Sequence, residues 1–442
     1  MTVRIVPSYW DEDLERMDPE RLTQIRNLQM QKHLRYAYQN SLFYKHSFDA
    51  AGFRPEEIRD MEAFTRSVPF LSHMEMIENQ QSNPPFGDFL ALGLKDVSRI
   101  YASPGPLMMP FSTGDMEDYI NTTANGLYIC GARRGDIVDI TAAYQWHLAG
   151  TMMDAAFRRI GCAVVPGGAG MSRTHILVMS RLKVTVMFAF PSFAMQLADT
   201  ARQMGVDPAT DLKLRLIILG TEIYGDRDKE MLADAFGAEI REMYGGAETG
   251  FVAAECPHGG GMHCFTHSIT EVVDPATGRT ASAGGPGEIV TTDLSRRAIP
   301  VIRYRTGDLT GGFNLDPCPC GRTSPRLKRI VGRTGPVGRV KGVYLIPAKV
   351  EEIIKGQEGL ANFQILIDRP RFQDRITIRV ETSRPNDAAE IKGALMNDLR
   401  AFTQLTVEID LVEEGAIGRN APLVVDTRFS QDKTAIGWNF ER

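Results

Sequence analysis

No apolar run in the 442 residues approaches the ~20 that a membrane-spanning helix needs. No basic block of the kind that grips nucleic acid stands out, and 50 basic against 55 acidic residues leave a net charge of −5. Neither a membrane nor a nucleic acid is therefore an expected partner. The N-terminal stretch turns acidic by residue 11 and lacks the apolar core of a secretory signal, so a cytoplasmic location is expected. Six cysteines in so long a chain make no disulfide framework. Internal repeats and low-complexity tracts are also missing.

What is present is an ordinary globular balance, 43% hydrophobic and 24% charged, in a chain too long for one compact core. Residues 14–60 read as helical and mostly polar, with helical spacing of Leu, Ile and Met over 21–41. From about 135, short apolar runs such as 137–141, 162–165, 184–190 and 215–219 alternate with helical patterns of about ten residues. One of those helices is expected to be opened by Ser192. The alternation predicts an α/β fold with parallel βαβ units and both sheet faces covered. Ligands of such sheets bind beyond the carboxyl ends of the strands. Those ends are 144–150, 166–170, 191–193, 220–226 and 244–250. From 251 to 312 the helical patterns vanish and a more antiparallel region is expected. After Gly-Arg-Thr-Gly (332–335) a small α+β unit follows. The expected division is 1–333 for a large domain and 334–442 for a small one, with 332–338 as hinge.

Four stretches carry chemistry. In Tyr-Arg-Thr-Gly-Asp-Leu (304–309), Asp308 suits a diol such as a ribose, although a polar turn has the same composition. In Tyr-Gly-Gly-Ala-Glu-Thr-Gly (244–250), glycines such as Gly245 allow close backbone approach to a ligand, and Glu248 suits a cation. Cys256, His258 and His263, followed 55 residues later by Cys318-Pro-Cys320, suit a tetrahedral structural Zn²⁺. We assign Cys256, His263, Cys318 and Cys320, with His258 as the alternative to His263. Lastly, Tyr144, Trp146 and His147 lie at a strand end beside small residues, where aromatic walls suit an aryl group. A core role for Trp146 and a structural one for His147 are the plainer alternatives.

Taken together, these motifs resemble those of the phenylacetate–coenzyme A ligase family of acyl-adenylate-forming enzymes. The resemblance runs over nearly the whole chain, including Pro-Val-Ile-Arg-Tyr-Arg-Thr-Gly-Asp-Leu (300–309), Cys-Pro-Cys-Gly-Arg-Thr (318–323) and 329–354. It implies a large domain with a mobile lid, ATP with Mg²⁺, coenzyme A, and an aromatic acid or its CoA thioester as partner. Related ligases are often dimeric, which makes a homodimer an expectation. The resemblance places Asp308 and Arg333 on the ribose, Glu248 on Mg²⁺, and Gly220, Thr221, Glu222 and Tyr244 around adenine. The loop at 144–150 and Gly168 would line the acyl cavity. The same Cys/His and Cys-Pro-Cys positions belong to the family pattern.

The chain departs from that pattern in four places. The family phosphate loop reads roughly Ser-Ser-Gly-Thr-Thr-Gly-Lys-Pro; here Ser103 and Gly105 stand among prolines and methionines, 103-Ser-Pro-Gly-Pro-Leu-Met-Met-Pro-110. Prolines remove N–H donors from an anion cradle, and the Lys is gone. Ala247 replaces the hydroxyl before Glu248, and Gly335 replaces the hinge Asp. Asn420 stands where the catalytic Lys belongs, with Arg419 beside it. Two readings follow. Either ATP is handled by other cations, among 322–329, Arg339, Lys341 and Lys349, or the fold binds an acyl-CoA or nucleotide without cleaving ATP. The expected activity is an aryl carboxylate–CoA ligase working through an acyl-AMP, with Glu248, Asn420 and Arg419 at the reacting centre.

Overall fold

In a computed structural model, residues 8–103, 107–220, 222–334, 338–340, 343–345, 347–357, 359–370, 374–384, 387–403, 406–418 and 421–427 are described. The chain divides into two compact units, 1–330 and 331–442. Among the described residues no helix is long and apolar enough to cross a membrane.

The first unit begins with helical turns at Glu12–Glu15, Pro19–Asn40 and Leu42–Ala51. Asp18 caps the long helix by accepting the N–H groups of Glu20 and Arg21. A hairpin follows, β1 (Val97–Ala102) and β2 (Met108–Ser112), paired antiparallel with Tyr101 opposite Met109.

The parallel strands then appear where the apolar runs place them: β3 (Ile137–Ile140), β4 (Ala163–Val165), β5 (Val186–Ala189), β6 (Leu216–Gly220) and β7 (Glu239–Gly246). Their spatial order is β4-β3-β5-β6-β7, so the chain leaves β3 first to one side and then to the other. This reversal makes a switch point at the carboxyl ends of β3 and β5, where a ligand crevice opens in such sheets. The strands are short and apolar because both faces are covered: β5 and β6 are buried at every position. Phe188, Phe157, Leu127 and Ile218 meet in the core beneath them.

β8 (Gly250–Glu255) and β9 (Met262–Cys264) turn the sheet antiparallel. β10 (Ser268–Val273), β11 (Gly287–Asp293) and β12 (Val301–Thr310) pair antiparallel in a second sheet, as the loss of helical pattern predicts.

Helix Pro191–Gln203 differs from expectation at its start. Ser192 lies inside the first turn rather than at the cap. Glu222 caps it instead, accepting from the Ser192 N–H at 3.0 Å and the Ser192 hydroxyl at 2.8 Å. A carboxylate there satisfies an orphan N–H and faces the positive end of the helix dipole.

Residues 8–18 are fastened by a buried ion pair. Arg322 Nε lies 2.6 Å from Glu15, and both side chains are about 5% exposed or less. The other Glu15 oxygen accepts the N–H groups of Trp10 and Asp11. Arg322→Ala leaves this carboxylate buried without its cation, so we expect a loss of roughly 3–5 kcal/mol, read from urea unfolding. A loss below about 1 kcal/mol would mean that water replaces the guanidinium.

The second unit has its own core. Strands Leu360–Asp368, Arg375–Thr382, Glu408–Glu413 and Val424–Asp426 form one sheet, covered by helices Pro347–Lys355 and Ala388–Thr403. Ile365, Ile367, Ile378, Leu395 and Leu399 fill the space between.

Candidate functional site

The hairpin of β7 and β8 carries the Tyr-Gly-Gly-Ala-Glu-Thr-Gly motif. Gly245 lets the two strands close: a Cβ there would lie 2.2 Å from the Gly250 carbonyl oxygen. Its role in this structure is that backbone approach. Glu248, in the turn, is 3% exposed, and its carbonyl accepts from Arg296 Nη1 at 2.7 Å. Its Oε1 is buried without a hydrogen-bond partner and lies 3.9 Å from His73 Nδ1. His73 Nδ1 is also 3.1 Å from the Tyr304 hydroxyl. A buried carboxylate oxygen with no donor suits a cation.

Asp308 does not sit in a turn beyond its strand. It lies within β12, in a bulge where Ile289 alone stands between partners that span residues 306–308 on the other strand. Gly307, at φ 73°, makes the bulge, and Thr306 accepts the Asp308 N–H at 3.1 Å. The bulge re-aims Asp308 so that its Oδ2 accepts from the Tyr244 hydroxyl at 2.8 Å. Two expected nucleotide contacts, 64 residues apart, are thereby joined. Gly220 ends β6, and Glu222 follows it with its carboxylate turned to Ser192. Arg333 closes the strand Ile330–Arg333 and falls in the second unit. Thr221, Gly105, Gly335, Lys341, Arg419 and Asn420 lie outside the described residues, as do the side chains of Arg339 and Lys349.

Of the stretch matching the phosphate loop, Ser103 and 107–110 are described, at the end of β1 and the start of β2. Ser103 is buried, and its N–H reaches the Leu107 carbonyl at 2.8 Å. Gln80 occupies both backbone groups of Met108, donating to its carbonyl and accepting its N–H at 2.9 Å each. That N–H is therefore not offered to an anion. The cations expected to compensate within 322–329 are engaged elsewhere. Arg322 is paired with Glu15, Arg326 donates to the carbonyls of Gly259 and Asp316, and Arg329 pairs with Asp226. Lys328 donates to the Gly284 carbonyl. An Arg-rich stretch reads as free charge in sequence, but Arg322 fastens the N-terminal segment, Arg326 and Lys328 hold carbonyls of the β region, and Arg329 meets a carboxylate that is largely exposed.

The loop after β3 meets the same hairpin. The Ala102 N–H donates to the Trp146 carbonyl at 2.8 Å, and His147 Nδ1 lies 3.0 Å from the Ala102 carbonyl. Trp146 is 80% exposed with φ 62°, which excludes a core role. Tyr144 is half-buried, and its hydroxyl is 3.4 Å from Asp154. Burial, and then Asp154, push its phenol up from the usual range. Its ring lies 4.0 Å from the position a Cβ on Gly168 would take.

Cys256, His263, Cys318 and Cys320 converge, with all four ligand atoms within 4.8 Å of one another. The turn that brings Cys256 and His263 together contains Gly259, Gly260 and Gly261, all at positive φ. The β8–β9 register places His263 opposite Ala254, and His258 is not part of the cluster. Cys256 and Cys318 sulfurs are 3.7 Å apart; a tetrahedral ion with Zn–S bonds of about 2.3 Å needs about 3.8 Å. Cys320 Sγ is 3.3 Å from His263 Nε2, while His263 Nδ1 faces Ser324 at 3.3 Å, an outer contact that orients the ring. The donor set fits Zn²⁺. Cys130, Cys162 and Cys264 are buried singly, and burial raises the pKa of each.

A parallel α/β unit with a crevice at its strand ends is followed by a separate α+β unit. The AMP-binding enzyme family model matches residues 146–293, and the AMP-binding enzyme C-terminal domain model matches 342–428. The chain belongs to the AMP-binding enzymes, and it is similar to their phenylacetate–CoA ligases. Phenylacetate-coenzyme A ligase of Aromatoleum evansii is 29% identical over 439 residues, covering 94% of this chain and 97% of that protein. The same-named protein of Escherichia coli strain K12 is 26% identical, covering 92% and 95%. Among solved structures, 2-hydroxyisobutyryl-CoA ligase in complex with 2-HIB-AMP and CoA, in the thioesterification state, has a TM-score of 0.90 at 26% identity. That match covers 96% of this chain and 93% of the other.

Proposed function

We propose that the protein is an ATP-dependent acid–CoA ligase that forms an acyl-AMP and then an acyl-CoA, with an aryl carboxylic acid as its substrate. The observation that carries this reading is the joined Tyr244–Asp308 pair at the strand ends, in a chain similar over nearly its whole length to a ligase holding both an acyl-AMP and CoA. Asp308, aimed by its bulge, would accept from the ribose hydroxyls, with Tyr244 fixing its carboxylate. Glu248 would hold Mg²⁺ through its unsatisfied Oε1. The ion, when bound, neutralises phosphate charge as the acid's carboxylate approaches. Gly220, Thr221 and Glu222 would border adenine, and Arg333 the ribose. Arg419 and Asn420 are proposed to lie at the α-phosphate, where a cation is most needed. Tyr144, Trp146, His147 and Gly168 would form the acyl pocket. The four Cys/His donors would hold a structural Zn²⁺.

The aryl preference is supported by the half-buried Tyr144 and by the names of the curated relatives. Incubation with ATP, Mg²⁺, CoA and a panel of acids tests it by mass spectrometry of the thioesters. Phenylacetate or benzoate derivatives should be converted at least about tenfold faster than 2-hydroxyisobutyrate, the loss expected when an aryl-shaped pocket is left unfilled. A preference for the small aliphatic acid would remove the aryl assignment.

A second reading is favoured by the engaged Met108 N–H and by the engagement of Arg322, Arg326 and Arg329. In that reading the fold handles an acyl-CoA without adenylation. It yields neither AMP nor pyrophosphate from the same incubation.

A further inference from the structure

A buried charged pair lies behind the loop 166–170, and the proposed half-reactions do not use it. Asp139, on β3, is fully buried. His175, on helix Ser172–Leu182, is 4% exposed. Its Nδ1 lies 2.7 Å from Asp139 Oδ2, and its Nε2 lies 3.0 Å from the Gly168 carbonyl oxygen. A carboxylate oxygen and a carbonyl oxygen both accept only. Neutral imidazole has one N–H, so in that form one ring nitrogen would point a lone pair at an oxygen. The imidazolium satisfies both contacts. Burial opposes the charge, but the Asp139 hydrogen bond and charge, followed by the Gly168 bond, outweigh it and raise the pKa.

The surroundings are built for this pair. A Cβ on Gly167 would lie 2.3 Å from His175 Cε1 and 2.7 Å from Asp139 Oδ1, so a larger residue would displace the ring. Gly168, at φ 76°, is held at both ends, since its N–H donates to the Ile140 carbonyl at 2.8 Å. Phe193 meets the imidazole edge-on, with ring centroids 5.7 Å apart. Asp139 comes from β3, Gly168 contributes a carbonyl, and helix Pro191–Gln203 contributes the uncharged Phe193. The Asp139 charge also reaches Tyr144, whose hydroxyl meets Asp154.

We propose that His175, as an imidazolium paired with Asp139, is a positioning residue that fixes Gly168 and, through it, the Tyr144 wall of the acyl pocket. It thereby sets affinity for the acid rather than the rate of the chemical steps. The proposal rests on the reading that Tyr144 and Gly168 line that pocket. The sign of the pH effect follows from the raised pKa. The contribution is complete below the ordinary histidine value of about 6.5 and is lost as pH rises through the folded value. The KM for the acid should therefore climb on the alkaline side.

The test uses the full chain with ATP, CoA and the best acid of the panel, comparing wild type, His175→Gln, His175→Leu and Tyr144→Ala. His175→Leu should raise the KM for the acid about tenfold or more, the worth of a charge-assisted hydrogen bond, with kcat and the KM for ATP within about twofold. His175→Gln, which keeps one donor, should lose less and show an acid KM independent of pH. Long-range proton–nitrogen NMR of wild type at pH 7 should show both His175 nitrogens protonated. That spectrum stands even where the Leu variant does not fold. A neutral ring overturns the proposal. So does an unchanged acid KM in the His175 variants when Tyr144→Ala raises it. If Tyr144→Ala also leaves the acid KM unchanged, the pocket reading falls and the proposed role falls with it.

Discussion

Glu248→Gln is expected to lower acid-dependent ATP–pyrophosphate exchange by about 10²–10³-fold, because it removes the carboxylate proposed to hold the ion on the phosphates. Stability should move the other way. Glu248 is 3% exposed with Oε1 unsatisfied, so its charge is a burden in the unliganded fold. The neutral amide should leave the melting temperature unchanged or higher. Loss of exchange with retained stability separates a cation-holding role from a packing role. A variant that exchanges within about threefold of wild type would remove Glu248 from the mechanism.

Removing the proposed Zn²⁺ is expected to lower the melting temperature by about 10 °C, from a loss of several kcal/mol in a domain of this size. Four protein donors would leave no open position, so the ion's work would be structural. The cluster ties the end of β8 and the middle of β9 to the loop that carries Cys318, Cys320 and Arg322. Arg322 in turn holds Glu15, and the Tyr9 hydroxyl donates to the Cys320 carbonyl at 2.7 Å. Chelation should therefore free residues 8–18 for proteolysis before the parallel sheet unfolds. Cys318→Ser should reproduce the shift and make the melt insensitive to chelator. An unchanged melt after chelation, with no zinc in elemental analysis, would contradict the assignment.

The parallel strands were legible because their apolar runs are short, β-branched and interrupted by helical spacing. Their spatial order was not, since nothing local says that β3 ends up between β4 and β5. The Cys/His cluster was legible up to the choice between His258 and His263. That choice depends on the three-glycine turn and the β8–β9 register, both of which are long-range geometry. Ser192 looked like a helix cap because its residue type caps helices well. The cap comes instead from Glu222, 30 residues later, whose side chain the sequence assigned to a nucleotide. The partners of the arginines in 322–329 were hidden for the same reason: Arg322 finds its carboxylate 307 residues away. Tyr244 and Asp308 were named separately, and only the bulge in β12 joins them. Arg296, which holds the Glu248 carbonyl, and His73 sit in no recognisable motif and were missed.

The central claim is that this chain adenylates a carboxylic acid although its phosphate loop lacks the Lys and offers few N–H donors. Pyrophosphate–ATP exchange with wild-type protein, Mg²⁺ and a panel of aryl and arylacetic acids tests it most directly, with an Asn420→Lys variant alongside. The account predicts exchange in wild type that requires both an acid and Mg²⁺, and that rises further in the variant. No exchange in wild type and only a trace in the variant would contradict it, and would leave a CoA-thioester-handling protein on a ligase fold.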